Sequence, residues 1–488
     1  MSKNSLKRFR VEFVIAVAVL MLLSYILIKR PVTGVADNGD FARIMNSTGL
    51  YYLTNEPTDH YFGYVSRLYG IGYVMPFGGR YLSTELPLVL SAIFLSKSIS
   101  GSALFDIRFL GTLYLLIFAA AVFFVMRYSR IRAGYWGMAA ALSGIIIFCD
   151  IGYTSYFNSL YGEPVTLVFL LLMAGMALTL AAEEKPAVWM LVLFFWGAFF
   201  FAGAKVQNSP AGLLAALLII RLAWFRKDKI WRITSMIASI SVVAVSLACY
   251  ASVSKDIKIC NKYQSVFYGI LKGSPNPAGD LEELGLDPSL AVLAGTNYFM
   301  ESYPVDIKAP EFKEMLYDKI SHTKVVGFYI RHPQRLLQKL EIAAENGFKL
   351  KQGFGNYEKY PGIQYKQTSN IFGLWSDFKM KVLPHTLLFT CIFFVTALMV
   401  LMMEYARAGN ARTRFFIEFM GFIALMGVTQ FILPIIGDGE ADLSKHLYLF
   451  NICFDLLSAA GVMYIVQKAA IALSYFKTRR LAARLQTD

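Results

Sequence analysis

Charge is scarce in this sequence: of 488 residues only 16% are Asp, Glu, Lys or Arg, against 56% hydrophobic, including 39 Phe. That balance excludes a soluble globular chain of this length. Cysteine is scarcer still. Cys149, Cys249, Cys260, Cys391 and Cys453 are scattered without metal-ligand spacing, and of these Cys260 alone falls in a clearly aqueous stretch, so neither a disulfide framework nor a zinc site is indicated. Segments of about ten residues with alternating polarity, the mark of a spanning barrel, are missing. An aromatic-basic pattern is missing too, so the net charge of +14 gives no ground for a nucleic-acid partner.

What is present is a series of apolar runs of roughly 17 to 22 residues, long enough as helices to cross a hydrocarbon core of ~30 Å. They predict spans over 12 to 29, 107 to 126, 133 to 149, 164 to 182, 187 to 203, 210 to 225, 233 to 253, 385 to 403, 415 to 435 and 447 to 467. The expected fold class is an all-α polytopic membrane protein with about ten transmembrane helices. The first run follows Lys3, Lys7, Arg8 and Arg10 and lacks a small-residue cleavage site, so it reads as a retained anchor with the N-terminus in the cytoplasm. Counting onward puts Arg127, Arg130, Arg132, the stretches Arg226 to Arg232 and Arg407 to Arg414, and the tail Lys477 to Arg484 on that same side, so both termini are expected to be cytoplasmic. Orienting lysines and arginines inward also accounts for the positive charge. The run at 82 to 99 would reverse this order if it crossed; with Glu85 and Pro87 at its start, it fits a helix lying in the outer interface.

The chain then divides into an N-terminal transmembrane region, 1–253, whose first outer loop is 30–106; an extracytoplasmic, mainly helical domain, 254–384; and a C-terminal transmembrane region with a basic tail, 385–488. Chemistry is expected on the outer face. The first loop opens with GVADNGDFAR, placing Asp37 and Asp40 beside the bilayer, where a carboxylate needs a partner or a task. Asp40 at a helix start with Arg43 as its salt partner is the purely structural alternative. The loop after the third span carries Asp150, Asn158, Tyr161 and Glu163; Tyr161 also suits an interfacial anchor, and Glu163, just before Pro164, also suits a cap. AKVQNSP holds an outward Lys205 and Gln207, a lysine that either snorkels or meets an anion. The last outer loop, GDGEADLSKHLY, is the densest polar cluster between two spans. A helix starting near Asp442 would put Asp442 and His446 on one face, with Lys445 on the same flank and the helix dipole helping both bases to hold a phosphate. Asp438, Glu440 and Asp442 form a D-x-E-x-D string that could seat a divalent cation, although it lacks the length and terminal Glu of a calcium loop.

This layout resembles the GT-C superfamily of membrane glycosyltransferases, which pass a sugar from a polyprenyl-phosphate carrier to an acceptor on the outer face. The resemblance lies in an aspartate-bearing first outer loop directly after the first helix, the interfacial stretch 82 to 99 with Glu85, Arg108 at the next span, and the second-loop acidic motif NSLYGEP. GVADNGDFARIM, YFNSLYGEP, AKVQNSP and GDGEADLSKHLYLFN together are similar to a bacterial group of hexose transferases of cell-surface glycans, which implies a bacterial plasma membrane. The resemblance implies a catalytic aspartate in the first loop, Asp40 or Asp37, since the motif is Asp-Asn-Gly-Asp and not an adjacent acidic pair. It implies substrate contacts from Glu163, Asp150, Asn158, Tyr161, Arg43, Lys205, Gln207, Lys445 and His446. It implies as partners a polyprenyl-phosphate-linked sugar, a glycan or lipid-linked acceptor and membrane lipid. No cofactor is required by that chemistry; a divalent cation would be an addition at Asp438, Glu440 and Asp442. The rival functions are a lipid-linked sugar flippase or transporter, a glycan polymerase and a non-catalytic scaffold. A flippase is expected to bury charge along a central path, whereas the spans read here are nearly free of charge.

Overall fold

A computed structural model describes residues 3–73 and 81–484; of the side chains at 3–10, 130–133, 135, 471 and 473–484 only the backbone course is described. The basic clusters read at Lys3 to Arg10, at Arg130 and Arg132 and at Lys477 to Arg484 therefore lie outside the described side chains. The described residues are mostly helical, as expected. Helix α1 (Lys3–Ile28) leads into the first loop, which holds α2 (Ala42–Thr48) and α3 (Glu85–Ser100). Helix α4 (Arg108–Phe148), α5 (Ile151–Thr154), α6 (Glu163–Ala182), α7 (Val188–Ala204), α8 (Ser209–Leu222) and α9 (Lys229–Ala251) complete the first helical block. The intervening segment carries α10 (Lys255–Tyr263), α11 (Pro277–Leu284), α12 (Pro310–Phe312), α13 (His322–Arg331), α14 (Pro333–Gly347) and α15 (Leu374–Val382). Helices α16 (Leu387–Arg407), α17 (Ala411–Asp438), α18 (Leu443–His446) and α19 (Tyr448–Arg484) finish the chain.

Among the described residues seven helices are long and apolar enough to cross a membrane, or eight if Trp136–Phe148 and Ile151–Asn158, bent by 53°, act as one. The remaining two of the ten predicted segments are the shorter apolar helices Val188–Ala204 and Val206–Leu222. All ten apolar stretches are helical where the hydropathy put them. The run at 82 to 99 forms α3, only 16 residues long and outside the set of spans. Helix α6 sits at the centre, buried along almost its entire length and packed on α4 and α7, whereas α16 shows most of its surface. Gly111 on α4 lies against Asn158, so the chain returns to the face it left; Gly134, at φ 62°, interrupts the regular helical path between.

The first loop holds something that helical periodicity did not reveal: a three-stranded antiparallel sheet, β1 (Leu50–Tyr51), β2 (Leu68–Ile71) and β3 (Leu104–Asp106), in the order β1-β2-β3. Strands of two to four residues are too short to leave a period in the sequence. The sheet buries Leu50, Tyr69 and Phe105. Beside it, Thr33 and Val65 bridge to Tyr357 and Glu358, tying the loop to the far end of the 254–384 segment, while Asp37 bridges to Tyr61 within the loop. Ionic contacts follow the same seam: Glu358 accepts from Arg30 at 2.8 Å and Arg67 at 3.0 Å, and Arg67 reaches Asp106, which also binds Arg108.

The reading of nearly charge-free spans needs one correction. Asp455, inside α19, is fully buried and bound to Lys379 of α15, with both oxygens 3.0 Å from Nζ. Tyr153 Oη and Trp375 Nε1 donate to the same carboxylate at 2.5 and 2.9 Å. The carboxylate thus receives four bonds from three side chains, and the pair fastens the outer segment to the helix block. Lys379→Met strands Asp455 and is expected to cost about 3–5 kcal/mol. Thermal unfolding in lipid should show a large drop in midpoint for Lys379→Met and a partial return for Lys379→Met with Asp455→Asn; equal midpoints for wild type and single variant would show that the pair fastens nothing.

Candidate functional site

The polar loops at the ends of α1, α5, α7, α17 and α18 meet on one face, and the meeting point is Asp40. Its carboxylate binds Arg43 at 2.8 Å and makes a short ion pair with Lys445, although the two lie in the first and last of these loops. Lys445 is enclosed, with its side chain 4% exposed, whereas that of Asp40 is 32% exposed. Nζ of Lys445 also approaches Asn38 Oδ1 at 3.3 Å and lies 4.3 Å from the centre of the Tyr161 ring. Burial works against the charged form of Asp40; Lys445 first and then Arg43 outweigh it, holding the carboxyl well below the usual carboxylate range.

Asp37 has a different part. Oδ1 accepts the backbone N–H groups of Gly39 and Phe41 at 2.7 and 3.1 Å, and Oδ2 accepts from Tyr52 Oη at 2.7 Å. It is the side chain that closes the turn into α2, a role the sequence suggested for Asp40; Asp40 makes no cap there. Burial raises the Asp37 carboxyl, against the pull of its three donors. The turn is pinned from the other side by Tyr161, whose hydroxyl accepts Asn38 N–H at 2.9 Å and lies 3.0 Å from Ala36 O. Tyr52 in turn stacks on His60, with ring centroids 4.1 Å apart.

Lys205 meets Glu163 at 2.6 Å, and its positive charge contributes to the field at Asp40. Glu163 is buried, begins α6 and makes no cap; its Oε2 has no hydrogen-bond partner among the described residues. A further neighbour, named in the sequence only as the start of the interfacial stretch, is Glu85 at the start of α3. Its Oε1 is likewise buried and unpartnered, and burial, then the charge of Glu163, raises its carboxyl well above the ordinary range. Ser83 Oγ donating to Ala204 O, and Thr84 N to Gly203 O, hold α3 beside Lys205.

Three expected substrate contacts are engaged in structural bonds. Asp150 caps α5 through Gly152 N–H at 2.8 Å and receives Ser376 Oγ and the N–H groups of Trp375 and Ser376. Asn158 Nδ2 donates to Leu27 O and Thr33 O at 2.8 and 2.7 Å, clamping the end of α1. Gln207 donates to His446 O at 2.9 Å and accepts at its own carbonyl from Gln430.

The last loop also departs from its expected geometry. Helix α18 is a single turn of four residues, too short for the dipole assistance expected of it. Asp442 takes a left-handed conformation at φ 42° and accepts from Asn38 Nδ2, while His446 turns to Asp438 at 3.0 Å, so Asp442 and His446 do not form a common face. The D-x-E-x-D string is split likewise: Glu440 is held by Lys339 and Lys272 at 2.6 and 2.7 Å. No group of three His, Cys, Asp or Glu side chains suited to a metal occurs among the described residues. What the loop does bring to Asp40 is Lys445, with Asp442 joined to the site through Asn38. Asn38, which links Asp442, Lys445 and Tyr161, is the site residue that the sequence reading passed over between the two aspartates.

Over residues 1–485 the sequence matches the family described as the YfdI N-terminal transmembrane domain. It is 22% identical over 325 residues to the uncharacterized protein YfdI of Escherichia coli (strain K12), a match covering 66% of this chain and 68% of that protein. The chain belongs to the YfdI N-terminal transmembrane domain family and is a multi-pass membrane protein.

Proposed function

We propose that the protein is a GT-C type glycosyltransferase that moves a hexose from a polyprenyl-phosphate-linked donor to a glycan or lipid-linked acceptor at the outer face of a bacterial plasma membrane, with both chain termini in the cytoplasm. The observation that carries the reading is the convergence of Asp40, Arg43 and Lys445, with Lys205 close by, on one partly open point at the head of the helix block. A carboxylate surrounded by cations is what a transfer from a phosphate ester needs. The cations hold the departing phosphate, and the carboxylate takes the proton of the attacking hydroxyl.

In this reaction the acceptor oxygen bonds to the anomeric carbon as that carbon's bond to the phosphate oxygen breaks, through a transition state with oxocarbenium character. The electron pair of the broken bond leaves on polyprenyl phosphate, and the acceptor's proton passes to Asp40. Asp40 is preferred to Asp37 because both oxygens of Asp37 are engaged in closing the turn. A donor phosphate bound by Lys445 and Arg43 also draws these cations off Asp40, so the base is freed as its substrate arrives. Glu163, with one oxygen on Lys205 and one unpartnered, is placed to orient a sugar hydroxyl. A divalent cation is not needed for this sequence of steps.

Purified protein in lipid, given a radiolabelled polyprenyl-phosphate hexose and acceptor glycan, should yield labelled product. Asp40→Asn should fold normally and lose roughly 10²–10⁴-fold in rate, whereas Asp37→Asn, which keeps an oxygen for the turn, should lose far less. A panel of such donors neither bound nor consumed by wild type would remove the transferase reading and bring forward a lipid-linked sugar flippase. The ion pair fixes a second outcome. Lys445 is the strongest cation holding Asp40 ionised, so in Lys445→Met the carboxyl titrates higher, and the acid limb of kcat/KM should move to higher pH while donor KM rises. An unmoved acid limb with impaired turnover would mean that Asp40 is not the titrating base.

A further inference from the structure

Helix α15 is built inside out for a helix in water. Its inward side is polar: Ser376 binds Asp150, Lys379 binds Asp455, and Trp375 donates to both carboxylates through its backbone and indole N–H groups. Its outward stripe is apolar at helical spacing, with Leu374 86%, Phe378 40% and Val382 62% exposed. Phe378 stacks on Trp375 with ring centroids 5.2 Å apart. Lys381 flanks the stripe, largely exposed, with Asp377 at 3.6 Å. Five residues after Val382, α16 begins, and its outward stripe of Leu388, Ile392, Val395, Met399 and Met402 is the most openly apolar surface of any span.

We infer that α15 lies in the plane of the outer membrane border, with Leu374, Phe378 and Val382 among lipid acyl chains and Lys381 at the headgroup phosphates. The stripe is continuous in sequence with the lipid-facing side of α16, and an aromatic pair beside a snorkelling lysine is the pattern of an interfacial helix. The occupant of this face is thus the bilayer itself. The boundary of the outer segment moves accordingly: its last helix belongs to the membrane interface and not to the aqueous domain. Lipid on the outer side and the Asp150 and Asp455 contacts on the inner side clamp α15 between them, so the membrane contributes to holding the loop after α4 in place.

Site-directed nitroxide labels on the full chain in lipid nanodiscs test this, with Cys260 and Cys391 replaced by Ser and each labelled protein checked for monodispersity. Labels at Leu374→Cys and Phe378→Cys should be reached by oxygen in preference to a water-soluble nickel chelate, as at Leu388→Cys on α16, while Lys366→Cys should show the reverse. Chelate-dominated relaxation at 374 and 378, with position 388 still oxygen-dominated, would overturn the assignment and leave the stripe facing water. The readout is independent of any glycosyltransferase activity.

Discussion

A charge near the border of a bilayer must be partnered, because the desolvation it suffers there exceeds what an exposed neighbour can return. In this protein the partners come from distant parts of the chain. Arg30 finds Glu358, Lys205 finds Glu163, Lys379 finds Asp455, Lys339 finds Glu440 and Lys445 finds Asp40. Each pair ties one part of the chain to a distant one, so the outer face acquires a fixed shape from contacts that also satisfy its charges. The apolar helices below carry few charges to match, Arg221 with Glu418 being one such pair. They pack through aromatic and small side chains, such as Phe169 stacked on Phe200 and Gly197 against Met173.

That division explains what could be read from the sequence. Apolar runs announce helices by length alone, and the stretches 164 to 182 and 415 to 435 fall within α6 and α17. The number of crossings is less plain, because α7 and α8 are 17 and 14 residues long, at or below the length that hydropathy treats as a span. The sheet of the first loop was illegible because its strands are stabilised by cross-strand partners some 20 to 40 positions apart, as with Leu50 and Ile71 or Leu68 and Asp106.

The candidate site was legible as a set of residues and not as a set of roles. Asp37 and Asp40 are three positions apart in the same motif, and nothing local separates them. Tyr52 makes one of them the keystone of a turn, and Lys445, 405 residues away, makes the other the centre of a charged cluster. Asp150 shows the same effect from the opposite side. The resemblance implied a substrate contact there, but its partners include backbone N–H groups 225 and 226 residues on. Asp455 was overlooked for the converse reason, since a single acid inside an apolar run gives no hint of the lysine that meets it.

The two aspartates also show why a rigid first loop is useful at such a site. A general base must be held within hydrogen-bond reach of its proton, which calls for a turn that does not move. Asp37 supplies that rigidity by committing both of its oxygens to Gly39, Phe41 and Tyr52, and Tyr161 braces the same turn from the second loop. Asp40 is then left with the charged side chains of Arg43 and Lys445 as partners, which on the proposed transfer a donor phosphate replaces. On this view the spacing Asp-Asn-Gly-Asp is a division of labour: the first acid builds the turn, Asn38 joins the turn to Asp442 and Lys445, and the second acid stays available. An adjacent acidic pair would place both carboxylates at one point of the chain, and the turn would need another residue to close it.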